Sequence, residues 1–223
     1  VDLIDTSREL CRNVEALRFG SPVAYVYNPL SYARVPHEQY LRKYGTGRKR
    51  ALLVGMNPGP FGMAQTGVPF GDVTLVREFL GIDAPVQAPK RQHPKRPVDG
   101  FSCSRSEVSG TRLWGWARER FGTADAFFER FFVYNYCPLA FVEASAKNRT
   151  PDKLKPEERA PLYAACDAAL VRVATELAPE WVIGIGSFAE KRAREALDSN
   201  EFHFGCILHP SPASPKANQG WSK

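Results

Sequence analysis

Three side chains able to hold or move a proton stand in loops far apart in the chain: Asn57 in GMNPGP, Asn135 in NYCP and His209 in HPSP. An amide cannot act as a general base, but it fixes one donor beside one acceptor, as reading the edge of a planar ring requires. Asn57 also suits an Asx turn, which Asn next to Pro favours; Asn135 suits one less well. A lone His more often serves structure, but Pro210 and Pro212 fix the backbone around His209 and hold the direction of its imidazole at a strand's carboxyl end, which favours a functional role. The first of these loops runs over residues 55–72 as GMNPGPFGMAQTGVPFGD. Gly and Pro in such density turn a chain, yet this turn also carries Met56, Phe61, Met63, Gln65 and Phe70. Phe70 offers a face on which a flat ligand can stack, whereas Phe61 reads as local packing.

Two other patterns fall short of chemistry. Residues 184–189 match G-x-G-x-x-A, but a dinucleotide fold wants an acid at the end of the next strand, and Ile207, Leu208 and His209 stand there. Ser187 lacks the flanking glycines of a nucleophile elbow, with Ile185 and Ala189 in their places. It reads as the N-cap of a helix with Glu190 completing a capping box, and that helix N-terminus could hold a phosphate. The five cysteines are far apart without a C-x-x-C, and the four histidines form no H-x-H or H-E-x-x-H pair. No metal or cofactor is expected, and the cysteines read as reduced thiols of an intracellular protein.

The elements that must position these groups follow from the hydrophobic pattern. Leu3, Leu10, Val14 and Leu17 form one helical stripe. Apolar runs at 50–54 and 131–135 predict two buried strands, and those at 181–186 and 204–208 two further strands. Helices are predicted between them at 72–80 (N-cap Asp72, stop Gly81), 110–122, 156–178 and from 187 onward. Residues 81–110 read as an irregular, basic loop. Strands alternating with helices imply an α/β fold, a three-layer α/β/α sandwich with a central four-stranded parallel sheet. With 223 residues and 43% hydrophobic composition, one domain over residues 1–223 is expected. In open sheets of this kind ligands bind at the carboxyl ends of the strands. The four strands end in GMNPG, NYCP, GSF and HPSP, so Asn57, Asn135, Ser187 and His209 should converge with Phe70.

Thirty Lys and Arg face twenty-four Asp and Glu, a net charge of +6. Clusters at Arg48–Arg50 and across 81–112 suit a polyanion, though each alone also suits a solvated loop. No stretch approaches the ~20 apolar residues of a membrane span, and the acidic, amphipathic start is not a signal peptide.

At this point several segments resemble a known family. GMNPGPFGMAQTGVPFG (55–71) is similar to the first motif of the single-strand-selective monofunctional uracil-DNA glycosylases, and HPSP (209–212) to their second. NYCPL (135–139), SEVSG (106–110) followed by Trp114, and VAYVYNP (23–29) are similar too, so the resemblance runs from about residue 20 to Trp221. It implies a parallel sheet between helices, removal of uracil and of 5-substituted uracils such as 5-hydroxymethyluracil from DNA, and an abasic product. It implies no metal, no cofactor and no lyase lysine.

On that resemblance the base is flipped into a pocket and stacks on Phe70. Asn135 accepts N3–H and donates to O4, a pattern that cytosine inverts. His209 donates to O2, Asn57 holds the attacking water, and backbone amides near Met56 assist. Related glycosylases carry GQDPY where this chain has GMNPG, with Asp at the water position and a Tyr that blocks the base's 5-position. Gly59 would leave room there. Ser106, Ser109 and Ser187 are expected to contact DNA, single- or double-stranded, with Ser211, Pro212, Ala213 and Ser214 forming the wedge. Ser214-Pro215 also reads as the start of a short helix. Animal members place Arg-Asn-Pro after HPSP; here Ala213-Ser214-Pro215 stand there, which implies a weaker wedge. A monomer is expected. The rival class is a non-catalytic nucleic-acid or nucleotide-binding domain on the same scaffold. Asn57 and His209 argue against it, because binding alone needs neither.

Overall fold

The computed structural model describes residues 2–222. Chain order is α1 (Leu3–Glu15), β1 (Val23–Tyr27), α2 (Pro29–Tyr32), α3 (Arg34–Tyr44), β2 (Ala51–Gly55), α4 (Met63–Thr66), α5 (Val73–Glu78), α6 (Val108–Phe121), α7 (Ala124–Phe128), β3 (Phe131–Asn135), β4 (Ala140–Glu143), β5 (Asn148–Arg149), α8 (Pro156–Leu177), β6 (Trp181–Ile185), α9 (Ser187–Ala196) and β7 (His203–Ile207). Short 3-10 turns lie at Gly100–Ser102, Pro151–Lys153 and Ala217–Gln219.

The four expected strands form one parallel sheet in the order β3-β2-β6-β7. Its central strand, β2, is buried along its whole length, as a parallel strand covered on both faces must be. Register places Leu52 beside Phe132 and Val182, and Gly55 beside Asn135. One face carries α1, α3, α8 and α9, with Tyr40 of α3 stacked on Phe132 and its hydroxyl donating to the Val133 carbonyl at 2.7 Å. The other carries α6 and α7, where Phe121 and Phe127 meet Phe131. The expected three-layer α/β/α sandwich is therefore the observed architecture.

Three local readings differ from expectation. A second, antiparallel sheet, β1-β4-β5, is present beside the first. Its strands are short and one register is irregular, so period-two alternation is too brief to stand out from loop sequence. Ser187 is not an N-cap and there is no capping box. It is the first residue of α9, and the cap position is Gly186 at φ +92, a left-handed turn that starts the helix without a side-chain cap. The third concerns residues 214–220, where the helical turn spans only Ala217–Gln219, with the Ser214 hydroxyl accepting the Ala217 N–H at 3.4 Å. Asp72 does cap α5, accepting the Leu75 N–H at 3.2 Å, and Gly81 at φ +62 ends that segment.

The glycines of residues 184–189 serve packing. A β-carbon on Gly184 would lie 2.6 Å from the Glu190 Cα, so glycine lets α9 sit directly on β6. Gly115, inside α6, faces open space. We therefore expect Gly184→Ala to destabilise by ~1–3 kcal/mol through overpacking and Gly115→Ala to stabilise by about 0.5–1 kcal/mol. Thermal melts should move in opposite directions, and a Gly184→Ala melt at or above the wild-type value would contradict the packing.

Candidate active site

The site is built where β2, β3, β6 and β7 end. Gly55 closes β2 opposite Asn135, and its lack of a side chain creates a slot. A β-carbon there would collide with Asn135 Oδ1 and stand 2.6 Å from the Phe70 ring edge. The Asn135 amide and the Phe70 ring therefore face each other across glycine. Asn135 is 5% exposed, and its Nδ2 donates to Met63 Sδ at 3.3 Å. Its Oδ1 has no hydrogen-bond partner among the described residues. An unpaired buried acceptor costs ~1–3 kcal/mol.

Phe70 sits at φ +54, left-handed backbone that a non-glycine residue adopts at a cost of roughly 1–2 kcal/mol. Its neighbours hold it there. Trp114 Nε1 donates to the Pro69 carbonyl at 3.2 Å and the Asp72 N–H to the Phe70 carbonyl at 2.8 Å. Gly110 of α6 packs so closely on the Phe70 carbonyl that any side chain would collide with it. The rest of the loop is fixed from within. Gln65, 2% exposed, donates to the Pro60 and Pro97 carbonyls at 3.0 Å each and accepts from Asp99 and Gly100. His37 Nδ1 bonds the Gly67 carbonyl at 2.8 Å, and burial pushes its pKa down to about 4, so it is the neutral ring that donates. Phe61 is packed as expected, with the Arg105 guanidinium 3.9 Å from its ring centre and Arg96 at 5.5 Å.

His209 lies beside this slot, its ring centre 5.9 Å from that of Phe70. Gly186 lies next to it: a β-carbon there would stand 3.4 Å from His209 Cβ, an ordinary contact distance. The Ser211 N–H donates to Nδ1 at 3.1 Å. Nδ1 thus carries the lone pair, and a neutral ring must carry its proton on Nε2. Burial lowers the pKa of His209, which favours that neutral form. Asn57 Nδ2 donates to the Leu139 carbonyl at 3.2 Å, which leaves Oδ1 as the acceptor of this amide. The Met56 carbonyl takes the Cys137 N–H at 2.9 Å and ties the β2 exit to the β3 exit. Beyond β3, the Tyr136 hydroxyl donates to Asp167 at 2.7 Å, and Arg192 bonds both.

The expected DNA-contacting residues are spread around this centre. Ser187 is exposed at the start of α9, away from any capping role. Ser106 is exposed, though its hydroxyl donates to Asp72 Oδ2 at 3.0 Å, and Ser109 is buried in the first turn of α6. Ser211 and Ser214 are half-buried while Pro212 and Ala213 are exposed. Ser211 organises the segment, its hydroxyl accepting the Ala213 N–H at 3.1 Å and its carbonyl the Ser214 N–H at 3.0 Å. Two residues escaped sequence reasoning. Arg112 of α6 donates to the Pro210 carbonyl and to Asn218 Oδ1, both at 2.9 Å, and so ties the HPSP turn to α6. Glu107 fills the space beside Gly59: a β-carbon on Gly59 would lie 2.5 Å from Glu107 Oε2. The expected room next to Gly59 is thus occupied by a carboxylate. Arg112 had appeared only within the basic 81–112 segment and Glu107 only within SEVSG (106–110), and the partners of both lie far away in the chain.

An aromatic ring, an unpaired amide and a neutral imidazole thus meet at the strand ends of a three-layer α/β fold, groups whose shape and polarity suit a planar hydrogen-bonding ring. A family model described as the uracil DNA glycosylase superfamily matches residues 42–223, and the chain belongs to that family. It is 50% identical over 207 residues to the single-strand selective monofunctional uracil DNA glycosylase of Bos taurus, covering 92% of this chain and 76% of that protein. Its likeness to the protein of the same name from Mus musculus is 49% over 217 residues, covering 96% of this chain and 78% of that one. The crystal structure of wild-type Pedobacter heparinus SMUG2 has a similar fold, with a TM-score of 0.62 at 20% identity over 92% of this chain and 87% of that one.

The hydrogen bond from Ser211 predicts the state of His209. At pH 7 nitrogen-detected NMR should show the Nε2–H tautomer, with a titration midpoint below the ordinary 6.5. Because the folded pKa is lowered, its contribution to stability is complete above pH ~6.5 and declines as pH falls through that value. An Nδ1–H tautomer, or a midpoint above 6.5, would contradict the geometry.

Proposed function

We infer that the protein removes uracil from DNA by hydrolysing its N-glycosidic bond, with the base flipped into the slot between Phe70 and Asn135. The observation that carries this reading is the buried, unpaired Asn135 Oδ1 facing the Phe70 ring across Gly55. Uracil N3–H supplies the missing donor. The second amide hydrogen of Asn135 is free to meet O4 while the first stays on Met63. Cytosine would bring a lone pair to Oδ1 and an amine to Nδ2, leaving both unsatisfied.

Breaking the bond leaves positive charge on the sugar and negative charge on the base. A neutral His209 offers its Nε2–H to O2 as that charge grows and needs no proton of its own to leave. Asn57 Oδ1 orients the attacking water. An amide cannot take the proton, so its role is positioning. Amides near Met56 support the same charge.

DNA would approach over the strand ends. The rim is formed by Ser106, Ser187 and the segment Ser211–Ser214; Ser109 lies beneath it. Ala213, exposed at the tip of a segment held by Arg112 and Asn218, is placed to enter the gap that the base leaves. Its single methyl fills that gap poorly, so extrusion from a paired duplex should be the harder task. The chain acts as one monomeric glycosylase domain inside the cell, on single- and double-stranded DNA. Among the described residues no helix is long and apolar enough to cross a membrane.

Single-turnover release of uracil at fixed salt tests this reading. Wild-type rates should fall in the order single-stranded, U·G, U·A. Asn135→Asp should lower every rate by roughly tenfold or more, since a correct bidentate contact is worth ~1–3 kcal/mol. Wild-type rates for Asn135→Asp would remove Asn135 from base reading, and a wild type that binds uracil-containing DNA without releasing base would favour the binding-domain reading.

A further inference from the structure

The two basic clusters of the sequence lie at opposite edges of the parallel sheet. Arg48–Arg50 stands just before β2, where the strands begin. There it serves structure: Arg48 Nε donates to the Ala178 carbonyl at 3.2 Å, and the buried Lys49 ammonium donates to the Phe128 carbonyl. The basic segment 81–112 instead reaches the loop at the strand ends. The antiparallel sheet carries it there, the Tyr27 hydroxyl of β1 donating to the Arg96 carbonyl at 2.7 Å. Gln65, in the loop after β2, donates to the next carbonyl, that of Pro97, at 3.0 Å.

The two loops meet at Phe61, four residues past Asn57. Its half-buried ring carries the Arg105 guanidinium at 3.9 Å from the ring centre and that of Arg96 at 5.5 Å. The face of an aromatic ring attracts a cation at such distances. Arg96 is fixed further by its Nε, which donates to the Ala146 carbonyl at 3.1 Å. Arg105 is exposed, and its guanidinium makes no hydrogen bond or ion pair among the described residues. Neither arginine pairs with a carboxylate there. Two acids of the same segment are engaged elsewhere, Asp83 with Arg77 and Glu107 with the Phe61 N–H. Arg149, Arg192 and Arg194, by contrast, all bond carboxylates.

We propose that Arg105 and Arg96, laid on the Phe61 ring, form a clamp for a backbone phosphate of the bound DNA strand. This rests on the DNA-binding reading of the site. A guanidinium presents a planar fork of N–H donors that matches two phosphate oxygens, and stacking on a ring orients that fork in advance. Arg105 also precedes Ser106, which stands on the rim. Four residues of chain reach at most ~14 Å, so the clamp lies within a few nucleotides of Asn57. It grips the strand from the loop after β2, while the Ser211–Ser214 segment meets it from beyond β7 at the far edge of the sheet. The antiparallel sheet thereby gains a role, as the platform that carries Arg96 to the site.

The test is binding of a uracil-free single-stranded oligonucleotide, followed by fluorescence anisotropy over a series of salt concentrations. Wild type, Arg105→Ala, Arg105→Lys and Arg50→Ala are compared, each checked by thermal melt. For a single strand, log affinity falls with log salt by about 0.7 for each phosphate neutralised. Arg105→Ala should lower that slope by about 0.7 and weaken binding roughly threefold or more at low salt. Arg105→Lys should recover the slope, because it returns the charge. Arg50→Ala removes the same charge from the opposite edge and should leave slope and affinity at wild-type values. An unchanged slope in Arg105→Ala, or an equal loss in Arg50→Ala, would overturn the proposal. A Lys variant as impaired as the Ala variant would overturn it too, and leave Arg105 as a cover for the Phe61 ring. Because the strand carries no uracil, the two readings fail separately. A wild type that shows these slopes yet releases no uracil refutes only the glycosylase reading, whereas uracil release with an unchanged Arg105→Ala slope refutes only the clamp.

Discussion

The site depends on one residue having no side chain. Gly55 ends the central strand at the point where parallel register sets Asn135 beside it, and the Phe70 ring comes down on the same spot. A single β-carbon would collide with both groups. The sheet supplies Gly55 and Asn135 from neighbouring strands at fixed spacing, so their relation is as rigid as the β2–β3 ladder. Phe70 has no such ladder. It is held in left-handed backbone by α6, through Gly110 and Trp114, and by the bonds around Asp72. The same helix carries Arg112 to the HPSP turn and Glu107 to the Gly59 turn. One element thus holds Phe70, the HPSP turn and the Gly59 turn in place.

Each reactive group is oriented before any ligand arrives, and each orientation has a cost. Phe70 is strained and Asn135 Oδ1 is left unpaired. On the proposed reading, a flipped base would satisfy the second by bringing its own donor. His209 and Asn57 are held more cheaply, since one backbone contact each settles which atom faces the site. A neutral imidazole with Nε2–H, and an amide whose oxygen is turned outward, can stabilise charge and position water but cannot move a proton far. On the proposed reading, the base would leave as an anion stabilised by His209.

Much of this was legible in the sequence, because the four parallel strands are continuous apolar runs and each ends in a loop of unusual composition. Asn57, Asn135 and His209 stand out for being polar, specific and placed at those ends, and Phe70 for being aromatic in a glycine-rich turn. The antiparallel sheet was hidden by brevity. Ser187 was misread because a Ser followed by Glu three residues on signals a cap, while the positive φ of Gly186 that starts the helix leaves no periodic mark. Glu107 and Arg112 act on residues at least 46 positions away. No local pattern encodes such a contact, so only the packing of α6 against the loops exposes them.

The most direct test is a structure of the Asn57→Ala variant bound to a uracil-containing oligonucleotide. The account predicts the uracil ring parallel to Phe70, its N3 within about 2.7–3.2 Å of Asn135 Oδ1, and its O2 at His209 Nε2. A base that remains stacked in the DNA, or that lies in the site with Asn135 Oδ1 still unpaired, would contradict it.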